Sequence, residues 1–188
     1  MSATALVVVD VQKAFDDPTF WGPRNNPACE ENIGRLISAW RDAGQPVVFI
    51  RHDSLKPGSP LAPGAPGNAF KDVVAGEPAL LVSKSVHSAF HGEVDLHAWL
   101  RERGIGRIAI CGIQTNHCCE TTARVGSDLG YRVDFVLDAT HCFDAPAPDG
   151  GDPLPADLLA RVTAANLQDE FADVVTTERL LADAAARA

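Results

Sequence analysis

Residues 112–124 read GIQTNHCCETTAR and follow a short apolar stretch, residues 107–111, whose composition is typical of a buried strand. We expect Gly112 to end that strand. Thr115 and Asn116 are residue types that cap helices, so either of them is expected to cap the helix that comes next. The stretch therefore predicts a strand that leads directly into a helix, and the rest of the chain is interpreted from this unit.

Cys118 falls on the first turn of the predicted helix. A helix N-terminus presents unpaired backbone N–H groups and the positive end of the helix dipole, and both favour thiolate over thiol. The same N–H groups can hold an oxyanion. A free cysteine at this position is equally consistent with a small buried residue that fills a corner between helix and sheet. The stretch by itself does not decide between a reactive and a structural cysteine.

Two more apolar strands end in charged side chains. Residues 5–9 lead into Asp10, and residues 80–82 are followed by Ser83 and Lys84. Ligands of open parallel α/β sheets bind outside the carboxyl ends of the strands, so three central strands would deliver Asp10, Lys84 and the cysteine to one edge. Taken singly, Asp10 is better explained as a cap of the following turn, and Lys84 as the solvated end of a strand. Together, a base, a cation and a nucleophile favour covalent catalysis.

The residues around these three positions form a recognisable pattern. It reads D-x-Q-x-x-F from Asp10, K-x-x-x-S-A-F from Lys84, and G-I-Q-T-N-x-C-x-x-x-T-A-R from Gly112. This pattern resembles the isochorismatase-like cysteine hydrolases, a group that includes nicotinamidases and N-carbamoylsarcosine amidohydrolases. The resemblance extends from Leu6 to about Val174, and its motifs agree in residue type, order and structural context.

The resemblance implies a catalytic triad of Asp10, Lys84 and Cys118. It also implies a cis peptide bond between Ile113 and Gln114, and backbone N–H groups near Gln114 and Cys118 that hold an oxyanion. By analogy with the motif positions, four residues are expected to line the substrate pocket, namely Phe15, Trp21, Phe90 and Gln114.

A cysteine nucleophile indicates which type of bond the predicted enzyme cleaves. Vinyl-ether hydrolysis of the isochorismatase type does not need a thiol, so Cys118 favours cleavage of a C–N bond through a Cys thioester. The predicted enzyme is an amidohydrolase for a small amide, carbamoyl or lactam substrate. Two other classes stay open: a thiol redox protein that pairs Cys118 with a second cysteine such as Cys119, and an inactive scaffold. Cys119 itself is expected to be a small buried residue, since adjacent helical residues do not share a face.

A metal is not expected. Metal-assisted nicotinamidases place an Asp-x-His pair after the second strand, whereas His52 and Asp53 are adjacent here and would point to opposite sides of an extended segment. His87, His91 and His117 are each expected to be hydrogen-bonded wall residues rather than ligands. The sequence therefore predicts neither a metal nor another cofactor.

Strands and helices alternate along the 188 residues, which predicts one α/β domain, residues 1–188. We expect a three-layer α/β/α arrangement around a mostly parallel, six-stranded, Rossmann-like sheet. The predicted strands are residues 5–9, 47–50, 80–82, 107–111, 133–137 and 172–176. Besides the helix after Gly112, the predicted helices are residues 29–43, a helix marked by Leu96 that ends at Gly104, 156–167 and 178–186.

Composition limits the possible partners. A formal net charge of −9 argues against nucleic acid and anionic membranes as partners. No apolar run approaches the roughly 20 residues of a membrane span, and no basic segment leads into a signal-peptide core, so a cytoplasmic protein is expected. Five cysteines without metal-finger spacing do not indicate a disulfide framework. The resemblance further implies a homodimer or homotetramer that acts on a small molecule.

Two irregular stretches are long enough to matter for the site. Residues 56–67 are rich in proline and glycine, and they are equally consistent with a surface loop, a subunit contact and a cover over the pocket. Residues 144–155 follow the fifth strand and could form another wall.

Overall fold

The computed structural model of the chain describes residues 3–185, and a parallel sheet forms its middle layer. The strand order is β3-β2-β1-β4-β5-β6, and every pairing between neighbours is parallel. The predicted α/β class and the six-stranded Rossmann-like sheet are confirmed. The strands are β1 (Thr4–Val9), β2 (Val47–His52), β3 (Leu80–Lys84), β4 (Arg107–Ile113), β5 (Arg132–His141) and β6 (Asp173–Val175).

Helices connect the strands and cover both faces of the sheet. They are α1 (Pro18–Trp21), α2 (Cys29–Asp42), α3 (Leu96–Glu102), α4 (Glu120–Asp128), α5 (Ala156–Leu167) and α6 (Thr177–Ala185). Short 3-10 turns occur at Lys13–Asp16, Pro66–Asn68 and Ala89–His91, and a π-helical turn at Thr115–Cys119 precedes α4. Within residues 3–185, none of the helices is long and apolar enough to cross a membrane.

The two faces of the sheet bury separate apolar cores, as the alternation of side chains along a strand requires. On β1, Leu6 and Val8 pack with residues of α2 and α6, whereas Val7 and Val9 pack with residues of α3 and α4. Burial on both faces explains why β1 reads as an uninterrupted apolar run rather than an alternating one.

Gly112 does not end β4, which continues to Ile113. The glycine has φ 129°, and a Cβ built on it would lie 2.0 Å from the backbone oxygen of Val9. Its role is therefore to let β4 approach β1 closely. The prediction that this glycine terminates the strand was wrong, because the same residue type serves both purposes.

Several strands are longer than their apolar runs. β2 and β3 continue to His52 and Lys84, and β5 continues to His141 beyond an irregularity in its register with β4. The polar ends of these strands still pair with their neighbours, although a hydrophobic pattern in the sequence cannot indicate them. β6 is shorter than predicted, and α2 and α3 end one and two residues before their predicted limits. The last residue predicted for the C-terminal helix, residue 186, lies outside the described part of the chain.

Candidate active site

The strand order brings the ends of β1 and β4 together. β1 and β4 are neighbours, and from them the chain builds β2 and β3 to one side and β5 and β6 to the other. Asp10 follows β1 and Cys118 lies just beyond β4, so both stand at the point where the strand order reverses. Lys84 was expected on a central strand but ends β3, which is an edge strand. Two strand spacings, roughly 9 to 10 Å, separate β3 from β1, and the long lysine side chain crosses this distance.

The ammonium of Lys84 is the centre of the site. Its Nζ lies 2.6 Å from Oδ2 of Asp10 and 3.4 Å from Sγ of Cys118. A third contact, 3.3 Å, joins Nζ to Nδ1 of His52 at the end of β2. Asp10 is 0% exposed, Lys84 2% and Cys118 9%. The structure thus brings the three sequence-predicted triad residues together, and it adds His52, which sequence reasoning had weighed only as a metal ligand.

Burial dominates the electrostatics of the thiol. It raises the pKa of Cys118 well above its usual value, the carboxylate of Asp10 raises it further, and Lys84 only partly opposes them. Burial therefore opposes the tendency of a helix N-terminus to favour the thiolate. Burial by itself would lower the pKa of Lys84, but Asp10 and Cys118 outweigh it, and the net pKa is raised. Both pKa shifts favour a neutral thiol beside an ammonium.

Asp10 keeps one oxygen without a partner. Oδ2 accepts from Lys84, whereas Oδ1 is buried and makes no hydrogen bond within the described structure. The residue adopts φ 50°, a left-handed conformation that aspartate tolerates better than most residues. Its N–H still donates to the carbonyl of Ile50, at 3.0 Å, and its carbonyl accepts from the N–H of Gln12, at 2.8 Å. The turn after β1 thereby fixes a carboxylate whose second oxygen is free to accept a proton.

The helical segment that carries Cys118 starts differently from the prediction. Gln114 is the N-cap and makes no capping hydrogen bond through its side chain, so neither Thr115 nor Asn116 caps this helix. Thr115 instead donates its hydroxyl to Thr140 of β5, at 2.9 Å. The peptide bond between Ile113 and Gln114 is cis. A π-helical turn follows, and Cys118 lies within it.

The residues predicted to line the pocket fall into two groups. The rings of Phe15 and Trp21 lie 4.8 Å apart, and Phe143 stacks against both. Phe90 belongs to the core on the other face of the sheet, where it stacks on Tyr131 at 5.6 Å. The structure therefore brings Phe15 and Trp21 together but separates Phe90 from them. Gln114 is buried at the start of the helical segment, and the part of all four in substrate binding stays a prediction.

The proline- and glycine-rich segment, residues 56–67, folds onto the first turn of the chain. A Cβ on Gly67 would lie 2.9 Å from Cα of Ala14, so this contact requires glycine. Leu61 is buried, and its carbonyl accepts from the Nδ2 of Asn68 at 2.9 Å. Since Ala14 precedes Phe15, the segment packs against the 3-10 turn that carries Phe15. Residues 144–155 are held similarly at their end, where the carboxylate of Asp144 accepts from the N–H of Ala156 at 2.7 Å.

The residues after β2 do not fit a metal. Asp53 accepts from Arg51 at 2.9 Å and from Asn68 at 2.9 Å, so its carboxylate is already occupied. The ring of His52 instead contacts the ammonium of Lys84, with Nδ1 3.3 Å from Nζ. Asp10, His52 and Cys118 do offer ligand atoms within 4.8 Å of one another, but the ammonium of Lys84 is in contact with all three. The ammonium of Lys84 is therefore the cation between Asp10, His52 and Cys118.

A cavity of about 590 Å³ lies at the opposite edge of the sheet, where the strands begin. Its lining includes Arg41, Gln45 and Pro78, and it contains none of the three triad residues. The reactive groups of the described chain are at the carboxyl edge, so the candidate active site is assigned there.

Comparison with known proteins identifies the family of the chain. The chain is 39% identical over 181 residues to the uncharacterized isochorismatase family protein YrdC of Bacillus subtilis (strain 168), with 95% of each chain covered. It is 32% identical to the ureidoacrylate amidohydrolase RutB of Stutzerimonas stutzeri, over 74% of this chain and 70% of that protein. A crystal structure of an isochorismatase-family protein from Chromobacterium violaceum matches with a TM-score of 0.92 and 36% identity, over 98% of this chain and 94% of that one. Since the isochorismatase domain model also matches residues 4–179, the chain belongs to the isochorismatase family of hydrolases.

Proposed function

We propose that the protein hydrolyses the C–N bond of a small amide, carbamoyl or lactam substrate through a thioester on Cys118. The observation that carries this proposal is the contact of one buried ammonium, that of Lys84, with both the thiol of Cys118 and the carboxylate of Asp10. A nucleophile with an adjacent base and cation is the arrangement that covalent catalysis needs. The similarity to an amidohydrolase supports an amide-type substrate.

The first half of the reaction begins with proton transfer. Because burial keeps Cys118 as a thiol, a base must remove its proton, and the unpartnered Oδ1 of Asp10 is free to accept it. The ammonium of Lys84 then stabilises the thiolate, which attacks the substrate carbonyl. Backbone N–H groups near Gln114 and Cys118 would hold the tetrahedral oxyanion, and each such donor contributes about 3 to 4 kcal/mol in comparable sites.

Asp10 completes both halves of the reaction. Its carboxylic acid gives the proton to the departing nitrogen as the C–N bond breaks, which leaves an acyl group on Sγ of Cys118. The regenerated carboxylate then takes a proton from water, and the hydroxide attacks the thioester. When the C–S bond breaks, the proton returns to the sulfur and the acid product is released. Atoms and charge balance, and no cofactor is required.

The experiment is an ammonia- or amine-release screen over primary amides, carbamoyl compounds and lactams. Cys118→Ala should abolish any turnover found. Cys142→Ala is the matched control, because the sulfur of Cys142 is buried against the carbonyl of Ala156, away from the triad. Turnover that survives in Cys118→Ala would contradict the thioester mechanism. A redox function would instead need a second reactive thiol, and Cys119, the nearest in sequence, is fully buried with its pKa raised well above the usual value by burial.

A further inference from the structure

We propose that His52 is a positioning residue, which fixes the ammonium of Lys84 between Asp10 and Cys118 by accepting its third hydrogen bond. A lysine ammonium carries three N–H donors. Lys84 has three acceptors within reach, at 2.6 Å in Asp10, 3.3 Å in His52 and 3.4 Å in Cys118. The number of acceptors within reach thus equals the number of N–H donors of the ammonium.

The topology explains why a residue of β2 performs this task. β2 lies between β3 and β1, and His52 pairs in register with Lys84. On its way from β3 to Asp10, the lysine side chain must pass the end of β2. His52 is the last residue of that strand, so its ring lies beside the path of the lysine side chain.

The backbone of His52 is held from two sides. The buried side chain of Gln12 accepts from the N–H of His52 at 2.8 Å and donates to its carbonyl at 3.1 Å. Asn68 donates to the same carbonyl at 3.1 Å. These bonds fix the position from which the imidazole extends. Gln12 and Asn68 thus act on the site through His52.

The contact also determines the protonation of the ring. An ammonium can only donate, so Nδ1 of His52 must carry the lone pair, and the neutral ring must carry its proton on Nε2. Burial lowers the pKa of His52, and Lys84 lowers it further. Of the other groups that face the ring, His87 acts in the same direction, whereas Asp10 and Asp53 oppose it. The imidazole is thereby kept in the neutral form that can accept.

This inference deepens the proposed function and rests on it, but its test needs no substrate. His52→Asn keeps an amide oxygen near the place of Nδ1, and His52→Leu fills a similar volume without an acceptor. The measured quantity is the rate at which iodoacetamide alkylates Cys118, followed by peptide mass mapping. We expect His52→Asn to stay within about threefold of the unchanged protein and His52→Leu to fall about tenfold, the effect of losing one hydrogen bond to a charged group. Equal rates in the two variants would overturn the proposal.

A spectroscopic measurement separates positioning from a packing role. In protein labelled with ¹⁵N-histidine, the signals of His52 are those that His52→Asn removes. We expect the Nε2–H tautomer at neutral pH and a higher pKa of His52 in Lys84→Met, because the neighbouring cation is gone. A mixture of tautomers, or a pKa of His52 that Lys84→Met leaves unchanged, would show that the contact does not exist in solution. If these results hold while no amide is hydrolysed, the proposed function fails and the role of His52 stands.

Discussion

The carboxylate of Asp10 and the ammonium of Lys84 lie 2.6 Å apart, and neither side chain has surface exposed to solvent. Removing one partner of a buried pair leaves the other charge uncompensated, at a typical cost of about 3 to 5 kcal/mol. We therefore expect Asp10→Asn and Lys84→Met each to lower the free energy of unfolding by about this amount, and each to reduce turnover by several orders of magnitude.

The double variant Asp10→Asn/Lys84→Met separates stability from catalysis. It leaves no unpaired charge, so its free energy of unfolding should be higher than that of either single variant, whereas turnover should stay lost. Urea unfolding followed by circular dichroism, together with the amide assay, completes the cycle. Additive losses of stability would mean that the two groups do not interact, and turnover retained in either single variant would contradict the triad.

Cys118 should be the thiol that reacts fastest. All five cysteines are buried, but Cys118 is 9% exposed and the other four are fully covered. Its sulfur also lies 3.4 Å from the ammonium of Lys84, and a neighbouring cation favours the thiolate that reacts with iodoacetamide. Iodoacetamide labelling of the folded protein with peptide mapping checks this. Preferential labelling of Cys29 or Cys142 in the folded protein would count against the site.

Acid stability should depend on His141. This side chain is fully buried, and both ring nitrogens lack a hydrogen bond within the described structure. Burial lowers the pKa of His141 to about 3, Arg24 adds to this effect, and Glu30 opposes it. Because the unfolded chain takes up the proton near pH 6.5 and the folded chain does not, stability from this residue is present above pH 6.5 and is lost as pH falls toward 3.

The corresponding variant is His141→Leu, which removes the titrating ring and two unsatisfied polar atoms. Between pH 6.5 and 5, the unchanged protein should lose about 2 kcal/mol of unfolding free energy through this residue, and the variant should not. At pH 7 the variant should be at least as stable, since an unpaired buried polar group is costly. Urea titrations at pH 7 and pH 5 measure both quantities. An identical pH dependence in the two proteins would exclude His141 as the titrating group.

Activity should not depend on a metal. Lys84 supplies the cation between Asp10, His52 and Cys118, and the carboxylate of Asp53 is bound by Arg51. Once a substrate is found, dialysis against a chelator should leave its turnover unchanged, and metal analysis should give well below one equivalent of zinc. Stoichiometric zinc whose removal stops turnover would assign the protein to the metal-assisted branch.

Sequence patterns predicted the fold because its strands are buried on both faces and read as plain apolar runs. The candidate triad followed from residue types at or near the ends of three strands together with the family resemblance, and the structure brings these residues together. The contact between Lys84 and His52 could not be predicted from the sequence. It depends on β2 lying between β3 and β1, and hydrophobic periodicity does not reveal the order of the strands in a sheet. Burial is equally hidden in the sequence, so the stretch around Cys118 by itself leaves open whether this cysteine is reactive or structural. Gly112 was misinterpreted because a glycine that ends a strand and one that admits a neighbouring backbone look alike in a sequence.

The last prediction concerns assembly, which we expect to be a homodimer or homotetramer. Three large apolar side chains near the carboxyl edge of the sheet are exposed, namely Phe20 at 58%, Leu55 at 80% and Val86 at 44%. Leu55 directly precedes the proline- and glycine-rich segment, residues 56–67, in which the prolines reduce the entropy lost on ordering. Apolar surface of this kind is covered most simply by a second copy related by two-fold symmetry.

The test uses Leu55→Glu, because this side chain is the most exposed of the three. Light scattering should give a multiple of 20.0 kDa for the unchanged protein and a lower mass for Leu55→Glu at micromolar concentration. Leu158→Glu is the matched control, since Leu158 is 44% exposed and lies on a different element, α5. If only Leu158→Glu lowers the mass of the assembly, the interface lies on α5. A monomeric protein would rule out an obligate assembly, and with full activity it would also show that one chain completes the site.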